Sequence, residues 1–335
     1  MNAMNNNTTE PRQLRKVSQK YTRQSQMAMV MHNLAKNKGA MAGLAIIVLL
    51  ALVAIFADFL FDYEAEVAAV RLDRSLIAPC LQYPCGTDDL GRNILACIVH
   101  GARYSLSVGL VATLMGLIAG VFFGAIAGYY GGVLEDVIMR CNDILSSIPA
   151  ILMGIVIVSA LGVSLPNLML AIGITSVPQF VRITRASVLT VRNQEYIEAL
   201  KATGLSEARI IGLHVLPNCL SPIIVQITLR IGSAVIAASS LSFLGLGVPA
   251  PAPEWGAMLS MGRQFIRTAS YMTIFPGMAI LITVLAFNLL GLLQSLKLTG
   301  SILRRQKFKR NILVYPSQVS VCLRRRCHFV NHHRP

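Results

Sequence analysis

The chain has 335 residues, 54% of them hydrophobic and only 13% charged, with a formal net charge of +15. Soluble domains carry about 25% charged residues, so too few polar side chains are present to cover a water-facing surface. The same apolar content excludes an intrinsically disordered chain; the expected solvent is the bilayer. Residues 297–335 hold ten Lys and Arg and no Asp or Glu, which leaves 20 basic against 15 acidic residues elsewhere, a net of +5. A basic excess gathered in one terminal segment argues against nucleic-acid binding.

A transmembrane helix needs about 20 mostly apolar residues. In chain order, the apolar runs predict spans at about 41–61, 105–128, 138–161, 165–182, 217–240 and 273–294, with Gly162-Val163-Ser164-Leu165-Pro166 separating the third from the fourth. The first run follows a 40-residue polar lead without an obvious cleavage site and precedes five more runs, so it reads as a retained helix rather than a signal peptide. Flanking Lys and Arg set the orientation. Residues 1–40 carry seven basic residues and one acidic, the 58–99 segment three and seven, and the 182–214 segment five Lys and Arg. These counts place the N-terminus, the 182–214 segment and the C-terminus in the cytoplasm, with 62–100 outside.

Along the second span, Gly109, Gly116, Gly120, Gly124 and Gly128 recur on a spacing that permits close helix approach, within the chain or to another subunit. Between the fourth and fifth spans the cytoplasmic segment is polar. Its first part, Glu195–Ala202, forms a helix; Gly204 interrupts it, and Ser206 and Glu207 begin a second short helix ending at Leu216-Pro217. Helix, glycine turn and helix at the membrane surface make a compact knob for a partner. Arg230 is the one charge deep in a span, and such residues face the bundle interior or a wet cavity. It contacts either the carboxylate of a passing solute, a neighbouring helix or a partner subunit. Cys80 and Cys85 lie on the oxidising side and are a weak candidate pair for a bridge. Cys97, Cys141 and Cys219 read as buried small apolar residues, and Cys322, Cys327 and His328 lack the second ligand pair of a zinc site.

Glu198-Ala199-Leu200-x3-Gly204 followed by Leu216-Pro217 resembles the EAA loop of bacterial ABC importer permeases, with Leu200 for the second alanine and His214 for the usual isoleucine. Gly86-Thr87-Asp88-Asp89-Leu90-Gly91-Arg92-Asn93, Gly101-Ala102-Arg103-Tyr104-Ser105-Leu106, Leu241–Gly247 and Pro253-Glu254-Trp255-Gly256-Ala257-Met258-Leu259 resemble one branch, the dipeptide/oligopeptide (peptide/nickel) permease C subunits. The resemblance covers about residues 30–291. Beyond Gly291 the family's GDGLRDALDP gives way to arginine runs and scattered cysteines, read as a shifted reading frame or as a basic tail touching anionic lipid headgroups.

The resemblance implies an all-α integral membrane protein with six transmembrane helices and the type I ABC importer permease architecture. The expected division is a cytoplasmic segment at 1–40, a first transmembrane helix at 41–61, a periplasmic loop at 62–100, and a five-helix core at 101–294 with its EAA loop at 184–217. A basic tail follows at 295–335. It implies a permease of a binding-protein-dependent importer in the bacterial inner membrane, forming half of a route for di- or oligopeptides or a related small solute. Expected partners are a second, related permease subunit, two ATPase subunits or domains, a solute-binding protein and the lipid bilayer. ATP belongs to the partner subunits, in agreement with the absence of a G-x-x-x-x-G-K-[ST] phosphate loop from the sequence; no cofactor, metal or catalytic residue is expected here. Glu198, Ala199, Gly204, Leu216 and Pro217 are the expected ATPase-coupling residues, and Arg230 the translocation-path candidate. Asp88, Asp89, Arg92, Glu254 and Trp255 are the candidate binding-protein docking residues. The alternative is an ion-gradient-driven secondary transporter or channel, which favours carboxylates or histidines inside spans and an inverted repeat. The acidic residues here lie at span ends or in loops.

Overall fold

The computed structural model describes residues 38–249 and 251–291, so most of the 1–40 segment, the 295–335 tail and the last residues of the sixth predicted span lie outside the described residues. The described residues are helical, with one isolated backbone bridge between Thr87 and Asn93 and no strand. Helix α1 is Lys38–Ile55 and is followed by a short turn, Ala57–Leu60. After an irregular segment come α2 (Ile94–Tyr130), α3 (Gly132–Ser147), α4 (Ala150–Leu161) and α5 (Leu165–Arg192). The elbow contains α6 (Glu195–Ala202) and α7 (Glu207–Ile210), and leads into α8 (Leu216–Phe243). Helices α9 (Trp255–Gly262) and α10 (Tyr271–Gly291) complete the bundle.

Four helices among the described residues have the length and apolarity of a membrane span: α1, α2, the stretch Glu207–Phe243, and α10. The third predicted span is broken instead, into α3 and α4 meeting at 86°, and as one bent unit the pair brings the number to five. Ile148 separates α3 from Pro149, whose ring disfavours helical backbone in the residue before it, and Ile148 is accordingly extended. The fourth predicted span lies within α5, whose Asn167, Gln179, Arg182 and Arg185 make it more polar than the other four.

Two helices outrun their predicted lengths. Asn93 caps α2, its Oδ1 accepting from Leu95 N at 3.0 Å, so the helix starts at Ile94 and not near 105. Its 37 residues correspond to about 55 Å, well beyond a hydrocarbon core of about 30 Å. The beginning of α2 therefore belongs to what was expected to be the 62–100 loop. Helix α5 runs ten residues past the predicted 182, with Arg182 pairing with Asp143 at 3.2 Å and Arg185 with Glu135 on α3. Residues 184–192 are thus helix rather than loop.

The glycine stripe explains why α2 and α5 lie against each other. A Cβ on Gly116 would stand 2.5 Å from Ser176 Cβ, one on Gly124 2.7 Å from Val181 O, and one on Gly128 2.9 Å from Arg185 O. At Gly120 the added atom collides with Phe180, and at Gly109 it meets Val235 of α8 at 2.8 Å. The small residues serve packing within the chain. In lipid such approach is favoured by dispersion contacts and not by expulsion of water. On the bundle exterior apolar side chains stay open, including Phe59 at 94% and Ile118 at 72% exposure, as a lipid-facing surface requires.

Gly120→Leu should force α2 from α5 at a cost of about 1–3 kcal/mol. The expected outcome is reduced recovery of folded protein in detergent and a lowered thermal unfolding midpoint, whereas Ile118→Leu on the open face leaves both unchanged.

Candidate functional site

The elbow between α5 and α8 is built from its apolar root outward. Ile197, Ile210 and Val215 are fully buried against Ala125 and Tyr129 of α2, Val188 and Val191 of α5, and Cys219 and Ile223 of α8. Burying each aliphatic side chain contributes about 2 kcal/mol, enough to hold the knob onto the bundle. Polar contacts add to this root. The Lys201 ammonium stands 5.0 Å from the Tyr129 ring centroid, and Arg192 Nη1 donates to Gly128 O at 3.4 Å. Glu207 lies against the Tyr130 hydroxyl. Asn218 Nδ2 donates to His214 O at 2.6 Å and to the Tyr196 hydroxyl at 3.2 Å, tying α6 to the start of α8.

The expected coupling residues other than Leu216, which packs against the root, occupy the opposite, open side. Glu198, Ala199 and Gly204 are exposed, as is Pro217, and Leu216 is half-buried. Gly204 has φ +78°, and nothing lies within 4 Å of where its Cβ would be. Its requirement is therefore conformational: Gly204 N–H donates to Lys201 O at 3.0 Å and ends α6 in the left-handed region. Ser206 occupies the cap position of α7 as predicted, yet its side chain makes no capping hydrogen bond. At Leu216-Pro217 the chain does not stop and restart. It passes through a widened π-turn, Ile211–Val215, closed by Leu216 N–H donating to Ile211 O. Pro217 has no N–H to offer the carbonyl four residues back and its ring crowds that carbonyl; a π-turn accommodates this.

At the other end of α2, the 62–93 segment is folded around Asp88. Its Oδ1 accepts from Leu90 N at 3.0 Å and Arg92 N at 2.8 Å, and its Oδ2 accepts from Arg92 Nε at 2.6 Å. Burial pushes the Asp88 carboxyl above its ordinary value, with Arg92 pulling the other way. Thr87 Oγ1 accepts from Ile77 N at 2.8 Å and donates to Arg74 O at 2.6 Å. Gly91, at φ +74°, leaves no room for a Cβ against Arg71 O. Nearby, the Glu254 Oε2 accepts from Ala257 N at 2.9 Å to cap α9, and Trp255 Nε1 donates to Ile98 O at 3.0 Å. Gly101 gives the Trp255 ring its space. Arg103 reaches the end of α1, donating to the Ala54 and Ile55 carbonyls and pairing with Asp58 at 2.9 Å.

Of the docking candidates, Asp88, Arg92, Glu254 and Trp255 are buried and Asp89 is half-buried. They are struts inside this face. Motif matching located them, and burial is invisible to it. Cys80 and Cys85 are both free, Cys80 exposed and Cys85 buried, and burial raises the Cys85 thiol above its ordinary value. Cys97 and Cys219 are buried as expected, whereas Cys141 is exposed.

Arg230 sits midway along α8 and is buried. Its Nε donates to Ser176 Oγ at 2.8 Å, and Ser176 in turn donates to Ile172 O at 2.6 Å. Gln179 Oε1 accepts from Gln226 Nε2 at 3.3 Å and faces Arg230 Nη1 at 3.5 Å. Sequence reasoning singled out Arg230 but not this group. The signal was there in principle, as polar residues spaced i, i+3 on α5 and i, i+4 on α8.

Comparison with known proteins follows from this geometry. Residues 120–297 match the family described as "Binding-protein-dependent transport system inner membrane component", and residues 25–79 match the "N-terminal TM domain of oligopeptide transport permease C". The chain is similar to the dipeptide transport system permease protein DppC of Alkalihalophilus pseudofirmus, at 46% identity over 81% of this chain and 88% of that one. It is also similar to the di/tripeptide transport system permease protein DppC of Pseudomonas aeruginosa, at 41% identity over 77% and 86%. The glutathione transport system permease protein GsiD of Pectobacterium atrosepticum is 41% identical over 75% and 82%. Among solved structures, the inward-facing MetNI methionine ABC transporter shares the fold, with a TM-score of 0.51 at 17% identity, covering 60% of this chain and 97% of that one. An ion-gradient-driven transporter or channel is thereby set aside, and the chain belongs to the inner-membrane permease family of binding-protein-dependent ABC importers.

Proposed function

We propose that this permease forms half of an inner-membrane route for di- or oligopeptides or a related small solute, and that the elbow at 195–217 transmits the stroke of an ATPase into it. The observation that carries this reading is the two-sided elbow: an apolar root locked beneath α2, α5 and α8, and an open face presenting Glu198, Ala199 and Gly204. A knob rooted this firmly moves as a rigid lever. Glu198 offers a charge to a cationic groove, Ala199 keeps the contact close, and Gly204 sets the angle between the two short helices. Leu216 and Pro217, with the π-turn before them, carry the motion into α8. Two packings of the bundle, biased by nucleotide on one side and cargo on the other, give alternating access.

The remaining half of the route falls to a second, related permease subunit, with ATP bound and hydrolysed by two partner ATPase subunits or domains. We place the N-terminus and the elbow in the cytoplasm and the 62–93 segment outside, as the distribution of Lys and Arg requires. There Asp88, Asp89, Arg92, Glu254 and Trp255 shape the surface that receives a solute-binding protein. Direct contact falls to exposed neighbours such as Val70, Leu72 and Leu81. The dipeptide and glutathione relatives support a peptide-like cargo.

In the assembled importer, a photo-crosslinker at Glu198 should capture the ATPase subunit, and a crosslinker at the exposed Leu81 should not. Gly204→Asp places a β-carbon in a left-handed conformation that costs about 1–2 kcal/mol. ATP-driven uptake should fall about tenfold or more while membrane insertion is retained; undiminished uptake would count against the elbow. Orientation is read by cysteine labelling. A membrane-impermeant maleimide applied to spheroplasts should modify Cys80, leave buried Cys85 unmodified, and reach Cys141 only after the membrane is opened.

A further inference from the structure

The polar group midway along α8 is only partly paired within the chain. Arg230 Nε is satisfied by Ser176, whose own hydroxyl proton is committed to Ile172 O. Nη1 has only Gln179 Oε1 at 3.5 Å, the outer limit of a hydrogen bond. No described residue pairs with Nη2, which keeps some accessible surface although Arg230 as a whole is buried. None of the ion pairs among the described residues includes Arg230. Gln179 is exposed beside it, midway along α5, and Gln226 lies one turn earlier on α8. A guanidinium edge and two carboxamides at this depth would be costly against lipid tails. A patch of this kind turns toward a wet route or a partner subunit and away from lipid.

We propose that Arg230, Ser176, Gln179 and Gln226 form a recognition site for a carboxylate of the cargo inside the membrane. The inference rests on the chain being half of a solute route. Nη1 and Nη2 present the two parallel donors that fit a carboxylate end-on, and the Gln179–Gln226 pair can rotate its amide N–H groups toward the same anion. Ser176 holds the fork in place and is itself pressed against α2 at Gly116. The surroundings are neutral, so binding relies on a single opposite charge and stays weak enough for release. A lone positive charge here selects anionic or zwitterionic solutes and disfavours bare metal cations. The competing occupant is a fixed carboxylate of the second permease subunit, which would neutralise Arg230 permanently.

The test uses the complete importer in proteoliposomes, with the binding protein loaded to equal occupancy with alanyl-phenylalanine or its C-terminal amide. Arg230→Gln should slow uptake of the free acid about tenfold or more, while uptake of the amide does not fall. Arg230→Lys should recover part of the acid's rate, and Gln226→Leu should give a smaller loss confined to the acid. ATPase activity of each complex reports assembly. Equal losses for acid and amide, or no loss for either, would overturn the site, the former in favour of a packing residue or a partner-subunit pair. Absence of ATP-driven uptake of the acid by the wild type would overturn the peptide-importer reading beneath it.

Discussion

Helices α2 and α5 can meet along their length only because α2 is bare where α5 crosses it. Gly116, Gly120, Gly124 and Gly128 bring backbone against Ser176, Phe180, Val181 and Val188, and this contact is the axis around which the other helices are placed. Water expulsion supplies little drive between helices in lipid, so fit has to supply it. One added methyl group on this stripe has nowhere to go, because the facing atoms include backbone as well as side chain.

Both candidate functional regions depend on that contact. At its middle, the approach at Gly116 buries Ser176, and Ser176 then fixes Arg230 of α8 through a 2.8 Å hydrogen bond. At its end, Ala125 and Tyr129 of α2 join Val188 and Val191 of α5 to make the bed that receives Ile197, Ile210 and Val215. The elbow's root is thus packed on the same helix pair that positions Arg230.

Much of this was legible in the sequence. Apolar runs mark most of the helices, Gly162–Pro166 marks the break between α4 and α5, and Gly204 marks the turn between two short helices. Errors fell where a local pattern has more than one meaning. An apolar run containing Ile148-Pro149 reads as one span, but the proline lets it fold at 86°. Charged residues near 182–192 read as a loop, although they continue α5 and two of them pair with α3. The motif residues Asp88, Arg92, Glu254 and Trp255 read as a contact surface, and in the fold all four are buried.

The solvent, the helical class, the family and the existence of the elbow are written in hydropathy, charge bias and short motifs, which are properties of neighbouring residues. Only the tertiary structure decided which face of α2 meets α5, which elbow side chains are rooted and which are offered, and that Arg230 has Ser176 and two glutamines for company instead of a carboxylate. Those outcomes depend on residues about 50 or more positions apart in the chain, whose contact is decided by the packing of whole helices.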